Sequence, residues 1–149
     1  MTLTVDTRYV ARRPWAPRAA QFARWAGTAL GRVGRPTLLS IVVVGTKRSR
    51  SLNRDYRGKD RATNVLSFAG AGPGPDGRVD LGELVLCAPV VALEARGARK
   101  SAESHWAHLV VHGVLHLTGH DHEGRAEAAR MAAREVQILE KLGYSDPYL

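Results

Sequence analysis

Apolar residues recur at three- and four-residue spacing through Phe22, Trp25, Ala26, Ala29, Leu30 and Val33, which predicts an amphipathic helix over residues 15–33, stopped by Gly34 and Pro36. The run TLLSIVVVG (37–45) is apolar and β-branched at odd and even positions alike, the pattern of a strand covered on both faces. Before the helix, residues 2–6 alternate and predict an edge strand. After the strand, Thr46 caps a polar helix to about Tyr56, closed by Arg57 and Gly58.

NVLSFA (64–69) reads as a short strand and LGELVLCA (81–88) as its returning partner, with GAGPGPDGRVD (70–80) as a turn-rich loop between them. That loop lacks the G-x-x-x-x-G-K-[ST] pattern, so its glycines imply no phosphate cradle. Pro89 suits the first turn of a helix carrying Val90, Val91 and Leu93 and ending at Gly97. Two more helices follow over 101–118 and 125–142. The second is ended by Gly143 and carries a packing stripe of Ala128, Met131, Ala132, Val136, Leu139 and Leu142. Strands followed by three consecutive helices predict an α+β (mixed α/β) fold: a small central sheet of about four strands packed with about five helices. The histidine-bearing helix falls near the C-terminal third. At 149 residues the chain is read as a single domain, 1–149.

Composition alters this picture little. With 44% apolar and 24% charged residues the chain resembles ordinary folded proteins, against a disordered or fibrous class. One cysteine, Cys87, rules out an internal disulfide and fits a reducing compartment. Arg12-Arg13 lacks the apolar segment of a twin-arginine export signal, and no stretch is long enough to span a bilayer, so a cytoplasmic protein without a membrane partner is expected. The net charge of +8 favours a polyanionic partner, although a GC-rich genome would raise arginine, alanine and glycine together without functional cause.

The chemistry gathers in HGVLHLTGHDH (112–122), which holds four of the six histidines. On a helix, His105, His108, His112 and His116 line a stripe apart from the core-facing Trp106, Leu109, Val110, Val114 and Leu117. His112 and His116 lie one turn apart, so their imidazoles can converge on one ion, as in H-E-x-x-H enzymes. His108 lies eight residues before His116, roughly 12 Å along the axis, and is read as a supporting or packing residue. A catalytic zinc takes three protein ligands and leaves one position to water. Gly119 is a natural residue for turning the chain back beyond the helix end, which makes His122 a geometrically possible third ligand in H-x3-H-x5-H. Asp121 and Glu123 are candidates to orient the imidazoles. The bland alternatives are polar residues at a helix end, or a structural zinc; the lack of nearby cysteine and of a fourth ligand weighs against the latter. Gly113 stands where H-E-x-x-H peptidases carry their glutamate base, which disfavours a peptidase of that type.

Four segments, HWAHLVVHGVLHLTGHDH (105–122), YRGKDRATNVLSF (56–68), LGELVLC (81–87) and LGYSDPY (142–148), resemble in order and spacing the YbeY family of bacterial rRNA maturation endoribonucleases. The resemblance runs from about Leu38 onward, and the first 36 residues add little to it. It implies a metal-dependent, single-strand-specific endoribonuclease acting at the 3′ end of small-subunit rRNA and in ribosome quality control. It further implies one zinc ion per chain on His112, His116 and His122, and a functionally required Arg57. His120 stands where the family usually has tyrosine, Ala62 where proline usually precedes the threonine, and Glu83 where aspartate is common. His122 is preferred to His120 as ligand because one residue beyond Gly119 leaves little chain with which to fold back.

Residues 47–61 carry seven cations (Lys47, Arg48, Arg50, Arg54, Arg57, Lys59, Arg61) against Asp55 and Asp60, a local excess of +5 suited to phosphate. A solvated helix face is the bland reading of such a run. Arg57 differs by its place at a helix end, where a planar fork can meet a phosphate and the extra charge of a transition state. Glu83 is a candidate outer-shell or base residue or else a strand end. Asn64 and Ser67 read first as structural, and Tyr56 and Phe68 as candidate stacking platforms for single-stranded RNA. The rival readings are a metal-dependent hydrolase of another substrate and a ribosome assembly factor that binds RNA without cutting it. Oligomeric state is not legible.

Overall fold

The structure, a computed structural model, describes residues 2–120 and 123–149. The elements run β1 (Leu3–Tyr9), α1 (Ala19–Leu30), β2 (Thr37–Val44), α2 (Thr46–Arg57), β3 (Val65–Pro73), β4 (Val79–Cys87), α3 (Ala88–Gly97), α4 (Ala102–Leu117) and α5 (Arg125–Lys141). The strands form one mixed sheet in the order β1-β2-β4-β3, with β1/β2 and β2/β4 parallel and β3/β4 antiparallel. Among the described residues this is four strands and five helices, the α+β arrangement expected from the sequence.

β2 is apolar on both parities because both of its faces are covered. Leu39, Ile41 and Val43 join the main core with Phe22, Trp25, Trp106, Val110 and Ile138. Val42 and Val44 face the other way, with Leu66, Val85 and Cys87, under Leu52 of α2 and Val90 of α3. α4 lies on the main-core side and approaches β4 closely at Gly113, where an added Cβ would stand 2.7 Å from Leu84 Cδ2. The position of a peptidase glutamate is therefore filled by sheet packing.

Several boundaries differ from the sequence reading: β1 runs on to Tyr9 beside β2, α1 stops at Leu30 with Gly31 as its cap rather than at residue 33, and Gly45, not Thr46, stands at the N-cap of α2. α1 begins at Ala19 rather than residue 15, because the chain leading into it is extended through Arg18; the Arg18 amide donates to Gln21 Oε1 at 2.9 Å and opens the helix. The glycine-rich loop is mostly strand: β3 runs to Pro73 and β4 starts at Val79, leaving only residues 74–78 as the turn. An irregularity between Ala69 and Gly72 accommodates the extra chain, and Asp80 occupies the space where a Gly70 side chain would point. Residue propensity read these glycines as loop, and strand pairing overrides it.

α2 is almost wholly polar, and two buried polar side chains one turn apart tie it down. Ser49 Oγ donates to the Thr63 carbonyl (3.0 Å) and accepts the Thr63 amide (2.9 Å), while Asn53 Nδ2 donates to the Arg61 carbonyl (2.8 Å). Gly58 ends the helix in the left-handed conformation, φ 69°, its amide donating to the Arg54 carbonyl at 3.1 Å. Gly58→Ala should therefore lower stability by about 1–2 kcal/mol, the cost of placing a Cβ in that conformation. Denaturant melting measures it directly.

Candidate active site

α4 ends as its sequence implies. Gly119 takes φ 100°, its amide donating to the His116 carbonyl (3.2 Å), and the His120 amide donates to the Leu115 carbonyl (3.0 Å), the paired bonds of a Schellman turn. The turn reverses the chain beside the last helical residues and brings the His120 carbonyl to His116 Nδ1 at 3.1 Å. His120 thus meets His116 through its main chain. His122 and Asp121 lie outside the described residues.

His112 and His116 stand on one face of α4, rings nearly parallel (15°) with centroids 6.3 Å apart. His112 Nδ1–H donates to Glu135 Oε2 (2.9 Å), and His116 Nδ1–H to the His120 carbonyl. Both acceptors lack a hydrogen to give, so each neutral ring carries its proton on Nδ1 and its lone pair on Nε2. Two adjacent imidazoles, each with Nδ1 turned to an oxygen, are what a metal-binding pair requires. The donor set fits a borderline-soft ion such as zinc. Among the described residues no group of three metal-ligating side chains converges, and the third ligand expected from the sequence, His122, falls outside them.

Glu135 of α5 is the functional candidate that sequence reasoning missed. Its side chain is 1% exposed, and besides His112 it accepts His108 Nε2–H (2.6 Å) and the Tyr148 hydroxyl (2.6 Å), both on Oε1. Burial alone would raise its carboxyl; the hydrogen bonds from His108, His112 and Tyr148 outweigh that and hold it at about 2, a permanent carboxylate near neutral pH. Burial and the Glu135 carboxylate together push the Tyr148 phenol well above its usual range, keeping it a donor. The sequence signal was a charge on a buried stripe: Glu135 lies four residues from both Met131 and Leu139, which are core. His108 is a supporting residue, as its spacing implied.

One open cleft of about 720 Å³ is lined by His112 and His116 and also by Arg57, Asn64, Ser67, Tyr56 and Phe68. Arg57 reaches it from the end of α2, exposed, with the left-handed Gly58 behind it. Tyr56, 68% exposed, meets Phe68 edge to face with centroids 5.2 Å apart. Asn64 leans toward structure: Nδ2 donates to Glu94 Oε1 (3.0 Å) and Oδ1 accepts the Val65 amide (2.6 Å). Glu94 also accepts His105 Nε2–H at 2.9 Å. Glu83 lies on β4 opposite Phe68 in register and is not among the cleft-lining residues. The basic run does not all face the cleft; Arg50 forms a two-point, exposed ion pair with Asp60 (2.8 and 3.0 Å).

Comparison with known proteins accords with this geometry. The chain is 50% identical over 151 residues to the endoribonuclease YbeY of Alkalilimnicola ehrlichii, covering 98% of this chain and 91% of that protein. It is 48% identical to the endoribonuclease YbeY of Laribacter hongkongensis, covering 99% and 89%. The solution structure of TM1509 from Thermotoga maritima shares the fold, with a TM-score of 0.54 over 97% of this chain and 98% of that one, at 20% identity. Residues 15–143, which carry the histidine helix, Arg57 and Glu135, match the model of the endoribonuclease YbeY family, and the chain belongs to that family.

Proposed function

We propose that the protein is a zinc-dependent hydrolase that cuts single-stranded RNA internally, and that its substrate is the 3′ end of small-subunit rRNA, in maturation and quality control. The observation that carries this reading is the meeting of His112, His116 and Arg57 on one cleft, from helices otherwise far apart in the chain. Membership of the family and the endoribonuclease names of relatives at 48–50% identity support RNA as the substrate class. No helix among the described residues is long and apolar enough to cross a membrane.

His112 and His116, with His122 as third ligand, would hold the ion. What such an ion supplies when bound is Lewis acidity, at a phosphoryl oxygen or at a water. Arg57 presents a planar guanidinium to the phosphodiester and stabilises the charge that gathers on its oxygens as the P–O bond breaks. Tyr56, exposed at the cleft mouth, offers a face on which a base can stack, with Phe68 bracing the ring. Gly113, pressed against Leu84, leaves no place for a peptidase base.

The test is a substrate panel: single-stranded RNA, the same RNA in duplex, casein and a phosphodiester dye, each with purified protein and zinc. Only the single-stranded RNA should be cut. Hydrolysis of casein or the dye at comparable rate would point to a broader metallohydrolase, and RNA binding without cleavage to an assembly factor. A 2′-deoxy substitution at the scissile nucleotide then separates attack by water, which survives it, from attack by the neighbouring 2′-OH, which does not.

A further inference from the structure

The stretch LGYSDPY (142–148), which carries Tyr148 to the wall of the cleft, folds back onto the histidine helix. Tyr144 donates its amide to the Leu139 carbonyl (2.8 Å) and its hydroxyl to Glu103 Oε2 (2.7 Å). Asp146 Oδ1 accepts the Tyr148 amide (2.8 Å) in a local turn, and Lys100 Nζ donates to the Pro147 carbonyl. These tethers set the Tyr148 phenol on Glu135 and its ring edge-on against that of His108, centroids 5.4 Å apart.

A carboxylate as buried as Glu135 persists only when its lone pairs are engaged. Here the donors come from two separate parts of the chain, His108 and His112 on α4 and Tyr148 after α5. An ionised carboxylate accepts and cannot donate, so it dictates which nitrogen of His112 bears hydrogen. Were Oε2 replaced by a donor, the same ring would be drawn to the opposite tautomer, with its proton on Nε2, the nitrogen a metal would need.

We propose that Glu135 is a positioning residue that sets the tautomer and ring angle of His112 for metal binding, and that Tyr148 completes the device by fixing the carboxylate between the two histidines. The inference rests on His112 being a metal ligand. It assigns a role to the segment after α5 that packing alone does not require, because the tether ends on a buried charge rather than on an apolar surface.

Two measurements on the full chain test it. Long-range ¹H–¹⁵N correlation spectra of the metal-free protein should find His112 protonated on Nδ1. Competition with a chromophoric chelator should give zinc binding about 10–100-fold weaker for Glu135→Gln, with His112 moving toward the Nε2–H form, and a smaller loss for Tyr148→Phe, whose melting temperature should fall by only about 2–4 °C, the worth of one hydrogen bond among three. Should Glu135→Gln not fold, the wild-type spectrum and Tyr148→Phe decide alone. A purely structural Glu135 would lower the melting temperature and leave zinc affinity as in the wild type. That result, or a wild-type His112 protonated on Nε2, overturns the proposal; a wild-type protein that takes up no zinc at any concentration instead overturns the metal reading on which it stands.

Discussion

His112→Ala is expected to cut RNA cleavage by at least about a thousandfold, equivalent to the several kcal/mol that a metal contributes at a developing charge. With one of the two helix imidazoles gone, the remaining pair cannot keep the ion at working concentrations, and zinc should be lost with activity. The fold should survive. Glu135 keeps His108 and Tyr148 as donors, so the metal-free variant should lose only about 1 kcal/mol, the worth of one hydrogen bond among three. Cleavage assays, metal content and denaturant melting on one preparation check all three. Cleavage at wild-type rate by the zinc-free variant would remove the metal from the reaction.

Arg57→Ala should lower kcat about 100–1000-fold, the loss seen when one preorganised donor to a developing oxyanion is removed. Zinc content should be unchanged, because Arg57 approaches the cleft from α2 while the imidazoles stand on α4. Stability should shift by no more than about 0.5 kcal/mol: the residue is exposed, and among the described residues what is lost is a cation at a helix C-terminus. Arg57→Lys should recover part of the rate but not all, since a point charge replaces a planar fork. If both variants cleave normally, the stabilising charge comes from elsewhere, and the cations of the same helix are the next candidates.

Much of the fold was legible because burial follows period. β2 reads as a strand covered twice, and the Phe22, Trp25, Ala26, Ala29 spacing gives α1 its buried face. The glycine-rich loop misled because Gly70, Gly72 and Pro73 have low strand propensity individually. Gly72 and Pro73 are held in β3 by pairing with Asp80 and Val79 across the turn, and Gly70 lies in the irregularity before them, a nonlocal cause. In the site, the placing of His112 and His116 on one face of α4 and the Gly119 turn were legible from spacing, and the end of α2 at Arg57 from the glycine that follows it. Glu135 was not, because the contact joins residues 23 and 27 apart and no local spacing encodes it. What the sequence did contain was a carboxylate interrupting an apolar stripe, which marks a buried charge and therefore a partner somewhere. Asp121 and Glu123 were the candidates to orient the imidazoles because they stand nearest in sequence; Asp121 lies outside the described residues, and the carboxylate that meets His112 Nδ1 belongs to Glu135 of α5.

The tether between Tyr148 and Glu135 makes an exposed end of the chain answerable for a buried charge. Cutting the chain after residue 147 would leave Arg57, the histidine helix and Glu135 all in place, yet remove the phenol that reaches back to the carboxylate. Glu135 would then keep His108 and His112 as donors and lose the third, and the ring it steers would be less firmly held. Trimming by a protease at that end would thus loosen a site whose other residues lie far earlier in the sequence.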